Sequence, residues 1–266
     1  MNIVVCVKHV PDPEAPVTQF TVDSAGQKMV PAPAVVSVVS PFDENAIEAG
    51  LQLKEAHGGK VTVLSLGPLS SLEALKRGTR MGADDAVLVE GNDLPEPAPQ
   101  TTAHILAKAI AKIGGYDLIL CGRQAADWDQ GQVGCGIAEN LDLPYVSIVS
   151  KIETLEKALR IQCLTEDGYE VMEVSLPVVL TLTNEINQPR LTTVAGILRT
   201  TTMKIPVWSL QDIGVDPAAA VECGRLAELK NLRIPEVKVE CQIVGGETPE
   251  EAALSLVNLL RSDKII

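Results

Sequence analysis

Along the first 145 residues, short apolar runs alternate with stretches whose apolar positions recur every three or four residues. Residues 3–7, 60–66, 86–89 and 117–121 are aliphatic or β-branched runs of strand length. Between the first two, the proline-rich residues 11–39 predict an inserted hairpin or loop, and a helix follows it. Ser40 supplies a capping side chain, Pro41 fits the first helical position, and Asp43 stands three residues after the cap. The apolar side of this helix is Ala46, Ile47, Leu51 and Leu53, and Gly58-Gly59 ends it. A second helix is predicted over about 70–81. A third, after the proline-punctuated loop 91–100, carries Ile105, Leu106, Ala109, Ile110 and Ile113; a fourth carries Val133, Ile137 and Leu141 on one face. Continuous apolar strands, each followed by a helix, predict an α/β fold: a parallel sheet with helices on both faces.

The pattern changes near residue 145. Residues 146–149, 159–163, 170–174 and 178–183 are successive strand-like runs, which predicts a small antiparallel extension. Residues 186–240 hold Pro, Thr and isolated apolar residues without clear period, and predict a long extended arm of the kind that lies on a partner. Thr248, Pro249 and Glu251 form a capping-box start for a last helix with Ala253, Val257 and Leu260. The expected division is an α/β domain over 1–185 and an arm with a terminal helix over 186–266.

Charge narrows the function. A net charge of -13 and a pI near 4.7 exclude nucleic-acid binding by a basic surface. With aromatic residues at 3%, base stacking and an aromatic ligand cage are excluded as well. Cys6, Cys121, Cys135, Cys163, Cys223 and Cys241 are scattered, without a C-x-x-C pair or a His at zinc-ligand spacing, so a reducing cytoplasm or matrix is expected. The opening residues read as a strand rather than a leader peptide, and no apolar run reaches membrane-spanning length.

The candidate chemistry lies in residues 122–136. A glycine-containing turn between a parallel strand and a helix offers backbone N–H groups and the positive end of the helix to an anion, phosphate above all. Gly131, Gly134 and Gly136 would let the backbone come close, whereas Asp127 and Asp129 suit ribose hydroxyls or capping. The turn matches neither G-x-G-x-x-G nor a Walker A sequence, and local spacing equally allows an ordinary turn with packing glycines. His9, His57 and His104 stand apart from any nucleophile or acid partner, so no catalytic residue is assigned and no metal site is expected.

The stretches VCVKHVPD, SPFDENAIEAGLQLKE, LSLGP, MGADDAVLVE and CGRQAADWDQGQVG, in that order, resemble the electron transfer flavoprotein β-subunit family, as does DGYEVMEVSLPVVLTLTNEINQPR. The likeness covers roughly residues 1–210. It implies an adenine-nucleotide α-hydrolase type of α/β fold with the nucleotide at the carboxyl ends of the strands. The positions that match are Cys6, Ser40, Pro41, Phe42, Asp43, Leu66, Arg123, Gln124, Ala125, Asp127, Asp129, Gln132, Val133 and Gly134. Cys6 and Leu66 would touch adenine, or Cys6 would simply pack as a small hydrophobe. Gln132, Val133 and Gly134 would offer N–H groups to phosphate, and Asp127 and Asp129 would face ribose.

The resemblance also implies a heterodimer with an α subunit that holds the redox FAD. The segment NQPRLTTVAGIL is similar to the loop that docks on an acyl-CoA dehydrogenase, with Val194 as the aliphatic anchor or, alternatively, packed beneath the loop. Beyond it, Arg199-Thr200-Thr201-Thr202-Met203-Lys204 departs from the family's lysine cluster, which puts electrostatic steering in doubt. Two branches stay open: AMP as a structural element, or a second FAD that permits electron bifurcation from NADH. VKHVPD, CGRQA and QVG lean toward the second branch, NQPR and DIGVD toward the first. The rival classes are a stand-alone nucleotide-binding regulatory domain of the stress type, which the long arm disfavours, and an adenylate-forming ligase. The ligase would need a phosphate-loop lysine where the turn offers Arg123.

Overall fold

β1 (Asn2–Cys6) is followed by β2 (His9–Pro11), β3 (Phe20–Val22), β4 (Met29–Pro31) and β5 (Ser37–Val39), which form two antiparallel ribbons, β2 with β5 and β3 with β4. These ribbons are the inserted excursion expected over 11–39. Strands and helices then alternate: α1 (Pro41–His57), β6 (Lys60–Gly67), α2 (Leu72–Met81), β7 (Asp85–Glu90), α3 (Pro99–Ile113), β8 (Leu118–Gly122) and α4 (Val133–Leu141). The chain continues through β9 (Tyr145–Thr154), β10 (Ala158–Thr165), β11 (Gly168–Ser175), β12 (Val178–Leu182), α5 (Val194–Thr202), β13 (Val207–Trp208), α6 (Pro217–Cys223) and α7 (Pro249–Ser262). This computed structural model describes residues 1–26, 28–91, 94, 98–156, 158–223, 229–234 and 241–266. Half of the proline-punctuated loop 91–100 and part of the expected arm lie outside them. Two units are distinguished, Met1–Leu232 and Arg233–Ile266.

Among the described residues, nine strands make one sheet in the order β11-β10-β9-β12-β8-β1-β6-β7-β13. From β9 to β13 every neighbouring pair is parallel, and β10 and β11 add an antiparallel edge. The α/β class therefore holds. Two runs expected wholly in the antiparallel extension differ: residues 178–182 form β12, which lies between β8 and β9 and runs parallel to both, and residues 146–149 of β9 pair parallel with β12 while β9 meets β10 antiparallel on its other edge. Val178, Val179, Leu180 and Leu182 are all fully buried, and a strand apolar on both faces needs the covered middle of a sheet. The arm expected over 186–240 is likewise more ordered within the first unit, where α5 and α6 form and β13 pairs with the edge of β7. α5 is broken by Arg199 and three threonines, and β13 and α6 span two and seven residues, so none of them shows a clear period in sequence.

Alternation along β1 divides the core. Ile3 and Val5 pack with Ile47, Leu51 and Leu75 on one side of the sheet; Val4 and Cys6 pack with Ile105, Ile110 and Ile137 on the other. Each fully buried Leu or Ile contributes about 1.5–3 kcal/mol relative to exposure. α1 ends at Gly58 and Gly59, with φ of 70° and 110°; a Cβ on Gly59 would collide with the backbone of Met1 at the start of β1. In the second unit, α7 begins as expected, with Thr248 Oγ1 accepting the Glu251 N–H at 3.2 Å. Leu254 and Leu256 on this helix are exposed.

Strand order reverses beside β1: the chain builds β6 and β7 on one flank, then crosses to place β8 on the other. Carboxyl ends that diverge at such a point leave a crevice, the usual ligand position in open α/β sheets.

Candidate functional site

The floor of this crevice is held by Asp43. It sits on the first turn of α1, which begins directly after β5 and lies against β1 and β8. Its Oδ2 accepts the Lys8 N–H at 2.7 Å, just beyond β1, and its Oδ1 accepts the Gly122 N–H at 3.0 Å, at the end of β8. Burial pushes the Asp43 carboxyl up to about 7 against the opposing pull of these two amides. Ser40 occupies the cap position of α1 but makes no side-chain cap bond; its Oγ accepts the Ala126 N–H at 3.3 Å. Neither residue serves the capping box that the sequence suggested. Both tie neighbouring loops to α1.

The turn after β8 is laid across this floor. Arg123 donates its backbone N–H to Leu182 at 2.9 Å, which anchors the turn to β12, and its guanidinium stands 5.3 Å from the Phe42 ring centroid. Arg123 Nε donates to Gln124 Oε1 at 3.1 Å, and Gln124 Nε2 donates to Asp129 Oδ1 at 2.8 Å. The chain reverses through left-handed Asp129 (φ 52°) and Gly131 (φ 62°), and the Ala125 carbonyl accepts the Asp129 N–H at 3.0 Å. Asp carries this conformation at lower cost than most residues. Asp127 forms an ion pair with Lys8 at 2.5 Å and accepts the Trp128 N–H, so the turn is also fastened to the segment after β1.

α4 starts immediately afterwards. Gln132 holds its cap position without a side-chain cap bond, which leaves the first-turn amides, among them Val133 and Gly134, without a side-chain acceptor. Gly134 is buried against Thr181 of β12, and a Cβ there would collide with the Thr181 methyl. Beside it opens a cavity of about 410 Å³ lined by Arg123, Gln124, Gly131, Tyr145, Ser147, Ile148 and Thr181. Tyr145 OH and Thr181 Oγ1 are 3.2 Å apart at its wall. Ile148 has φ 56° where the β9–β12 register shifts, a strained state for a β-branched residue of the sort that collects at ligand sites. An uncapped helix start, one guanidinium and three hydroxyl side chains suit an anion attached to a larger polar body.

The structure thus brings Ser40, Pro41, Phe42, Asp43 and residues 123–134 around the ends of β1 and β8. Cys6 closes β1 with its thiol against that of Cys121, which is buried and pushed well up by that contact and by burial. Leu66 stands near the end of β6, half-buried on the α3 side of the sheet. Among the residues that sequence reasoning did not single out, Lys8, Tyr145, Ser147, Ile148 and Thr181 are part of this geometry. A polar residue at the end of an apolar strand, as in VVLTL, is the one local signal that would have pointed to Thr181.

A second candidate surface is remote from the crevice in sequence. Val194 is the first residue of α5, capped by Thr193, whose Oγ1 accepts the Gly196 N–H at 3.0 Å. Leu191 and Val194 are 84% and 75% exposed, and Leu198 is exposed as well. Val194 does not pack beneath the loop.

The family model for the electron transfer flavoprotein domain matches residues 30–213. The chain belongs to the electron transfer flavoprotein β-subunit family. It is 37% identical over 266 residues to the electron transfer flavoprotein subunit beta of Clostridium acetobutylicum, with all of both chains covered. It is similar to the caffeyl-CoA reductase-Etf complex subunit CarD of Acetobacterium woodii, at 36% over 267 residues with all of both chains covered. Protein FixA of Azorhizobium caulinodans is 33% identical over 231 residues, covering 84% of this chain and 80% of that protein. An electron-transfer role follows from this membership. Among the described residues no helix is long and apolar enough to cross a membrane.

Proposed function

We propose that this chain is the β subunit of a heterodimeric electron transfer flavoprotein and holds an adenine nucleotide in the crevice between β1 and β8. The observation that carries this reading is the glycine turn between β8 and α4, whose Arg123, Gln124 and Gly131 line a cavity of about 410 Å³ and which leads into a helix start without a side-chain cap. In this reading the amides of Gln132, Val133 and Gly134 receive a phosphate and Arg123 neutralises it. Cys6 and Leu66 line the apolar end for adenine, while Asp129 faces ribose. Asp127, ion-paired to Lys8, would reach ribose only by exchanging that partner.

We take the nucleotide to be a second FAD rather than AMP on the resemblance of VKHVPD, CGRQA and QVG to the flavin-binding branch. FAD supplies the electron chemistry when bound; the residues of this chain bind it, orient it and exclude water. With one flavin in each subunit the heterodimer has the minimum equipment for dividing an electron pair from NADH. Residues 1–185 provide the nucleotide domain, and residues 186–266 provide surfaces for the α subunit and for a flavoenzyme partner of the acyl-CoA dehydrogenase type. The relative named for a caffeyl-CoA reductase complex supports a partner that handles acyl-CoA substrates. The cytoplasm is the expected setting.

Arg123→Met tests the phosphate assignment. The variant complex should lose the nucleotide of this subunit on gel filtration while the wild type retains it; equal retention would contradict the role given to Arg123.

A further inference from the structure

The segment that presents Leu191 and Val194 is fastened to α1 immediately upstream. Asn45, Glu48, Gln52 and Glu55 lie at spacings of three, four and three, one face of that helix. Asn187 and Asn45 exchange bonds: Asn45 Nδ2 donates to the Asn187 carbonyl at 2.9 Å, and Asn187 Nδ2 donates to the Asn45 carbonyl at 3.0 Å. Arg190 is then gripped by two carboxylates. Its Nε and Nη2 donate to Glu48 at 2.7 and 3.0 Å, and its Nη1 and Nη2 donate to Glu55 at 2.5 and 3.1 Å. The Glu48 side chain is 5% exposed, so this is a partly desolvated, doubly bidentate fork rather than a loose surface pair. At the far end α5 is seated on α2, where Thr200 Oγ1 meets Thr79 Oγ1 at 3.1 Å and Gly196 allows close approach to the Arg80 backbone.

We propose that Arg190 is a positioning residue for partner docking: held between Glu48 and Glu55 of α1, it fixes the near end of the segment that presents Leu191 and Val194. The inference rests on the docking surface described above. Two aliphatic side chains in water do nothing to order their own backbone, so the order comes from the Arg190 fork and the α5 seat. A segment held in its bound shape avoids the entropy cost of being ordered by the partner. Lysine cannot replace the fork, because an ammonium has no planar pair of donors for each carboxylate.

The test uses the purified heterodimer and an acyl-CoA dehydrogenase reduced by its acyl-CoA substrate, with flavin reduction followed as the dehydrogenase concentration is varied. Arg190→Gln should raise the KM for the dehydrogenase roughly tenfold and leave kcat within about twofold. Arg190→Lys should fall between it and wild type, and Glu55→Gln, which keeps the buried Glu48 pair, should raise the KM a few-fold. Amides 191–194 should exchange hydrogen faster in Arg190→Gln, with subunit assembly and flavin content unchanged. Should Arg190→Gln fail to assemble, Arg190→Lys and Glu55→Gln decide the matter. A raised KM in Val194→Asp with unchanged KM in the Arg190 and Glu55 variants would overturn the positioning role and leave the docking surface standing. No effect of Val194→Asp would overturn the docking surface itself. A fall in kcat with KM unchanged would also overturn the proposal.

Discussion

The carboxylate of Asp43 stands 3.0 Å from the amide of Gly122, and through that bond the first turn of α1 is joined to the end of β8. With its second oxygen on the Lys8 amide, Asp43 holds the two diverging strand ends at a fixed separation. The crevice is therefore a built feature, and it carries a buried acid.

The pH dependence of stability should report this acid. The carboxyl is raised from 3.8 to about 7, so the folded state binds a proton more tightly than the unfolded chain. Its contribution is fully present below the unfolded value and is lost as pH rises through 7. Between pH 5.5 and pH 8 the wild type should lose roughly 2 kcal/mol that Asp43→Asn does not lose. Urea midpoints of the two proteins, compared at both pH values, check this; parallel shifts would contradict it.

Close packing at the start of α4 yields a paired prediction. Gly134→Ala places a Cβ on the Thr181 methyl and should destabilise by about 1–3 kcal/mol, with weaker nucleotide retention. Thr181→Ser removes that methyl while keeping the hydroxyl near Tyr145, so the double variant should recover much of the loss. A double-mutant cycle on melting temperature measures the coupling. Strict additivity would mean that the contact does not limit the approach of α4 to β12.

Thiol labelling separates the cysteines. Cys6, Cys121 and Cys163 are buried free thiols, and Cys121 and Cys163 are shifted further toward the unreactive protonated form. Cys135 and Cys241 are exposed. Iodoacetamide should modify the exposed pair in the native protein and reach the buried three after denaturation, as read by peptide mass spectrometry. Native modification of Cys6 would contradict the packing at the end of β1.

The α/β class could be read from sequence because β1, β6, β7 and β8 are largely apolar runs and the helices among them have apolar faces, as in Ile47 and Leu51 or Ile105 and Ile110. The place of β12 could not be read from its position in the chain. Its burial on both faces, with Val178, Val179, Leu180 and Leu182 all inaccessible, identifies it as central, yet in the chain it follows β10 and β11, the antiparallel margin of the sheet. In the candidate site, residues 123–134 stood out because a strand, a glycine turn and a helix are contiguous. Tyr145, Ser147 and Thr181 did not, because they meet Arg123 only through the insertion of β12 between β8 and β9. Asp43 was legible as a helix-start acid, but its role as a strand tie depends on two amides 35 and 79 residues away. The Arg190 fork depends in the same way on Glu48 and Glu55, more than a hundred residues upstream.

The most direct measurement is the nucleotide content of the heterodimer. The chain is co-expressed with its α subunit, the complex purified, and FAD and AMP released by denaturation are quantified. Two FAD per heterodimer are expected, one of them lost in Arg123→Met. One FAD with one AMP would keep the crevice as a nucleotide site and contradict the second flavin; one FAD and no further nucleotide would contradict the central claim.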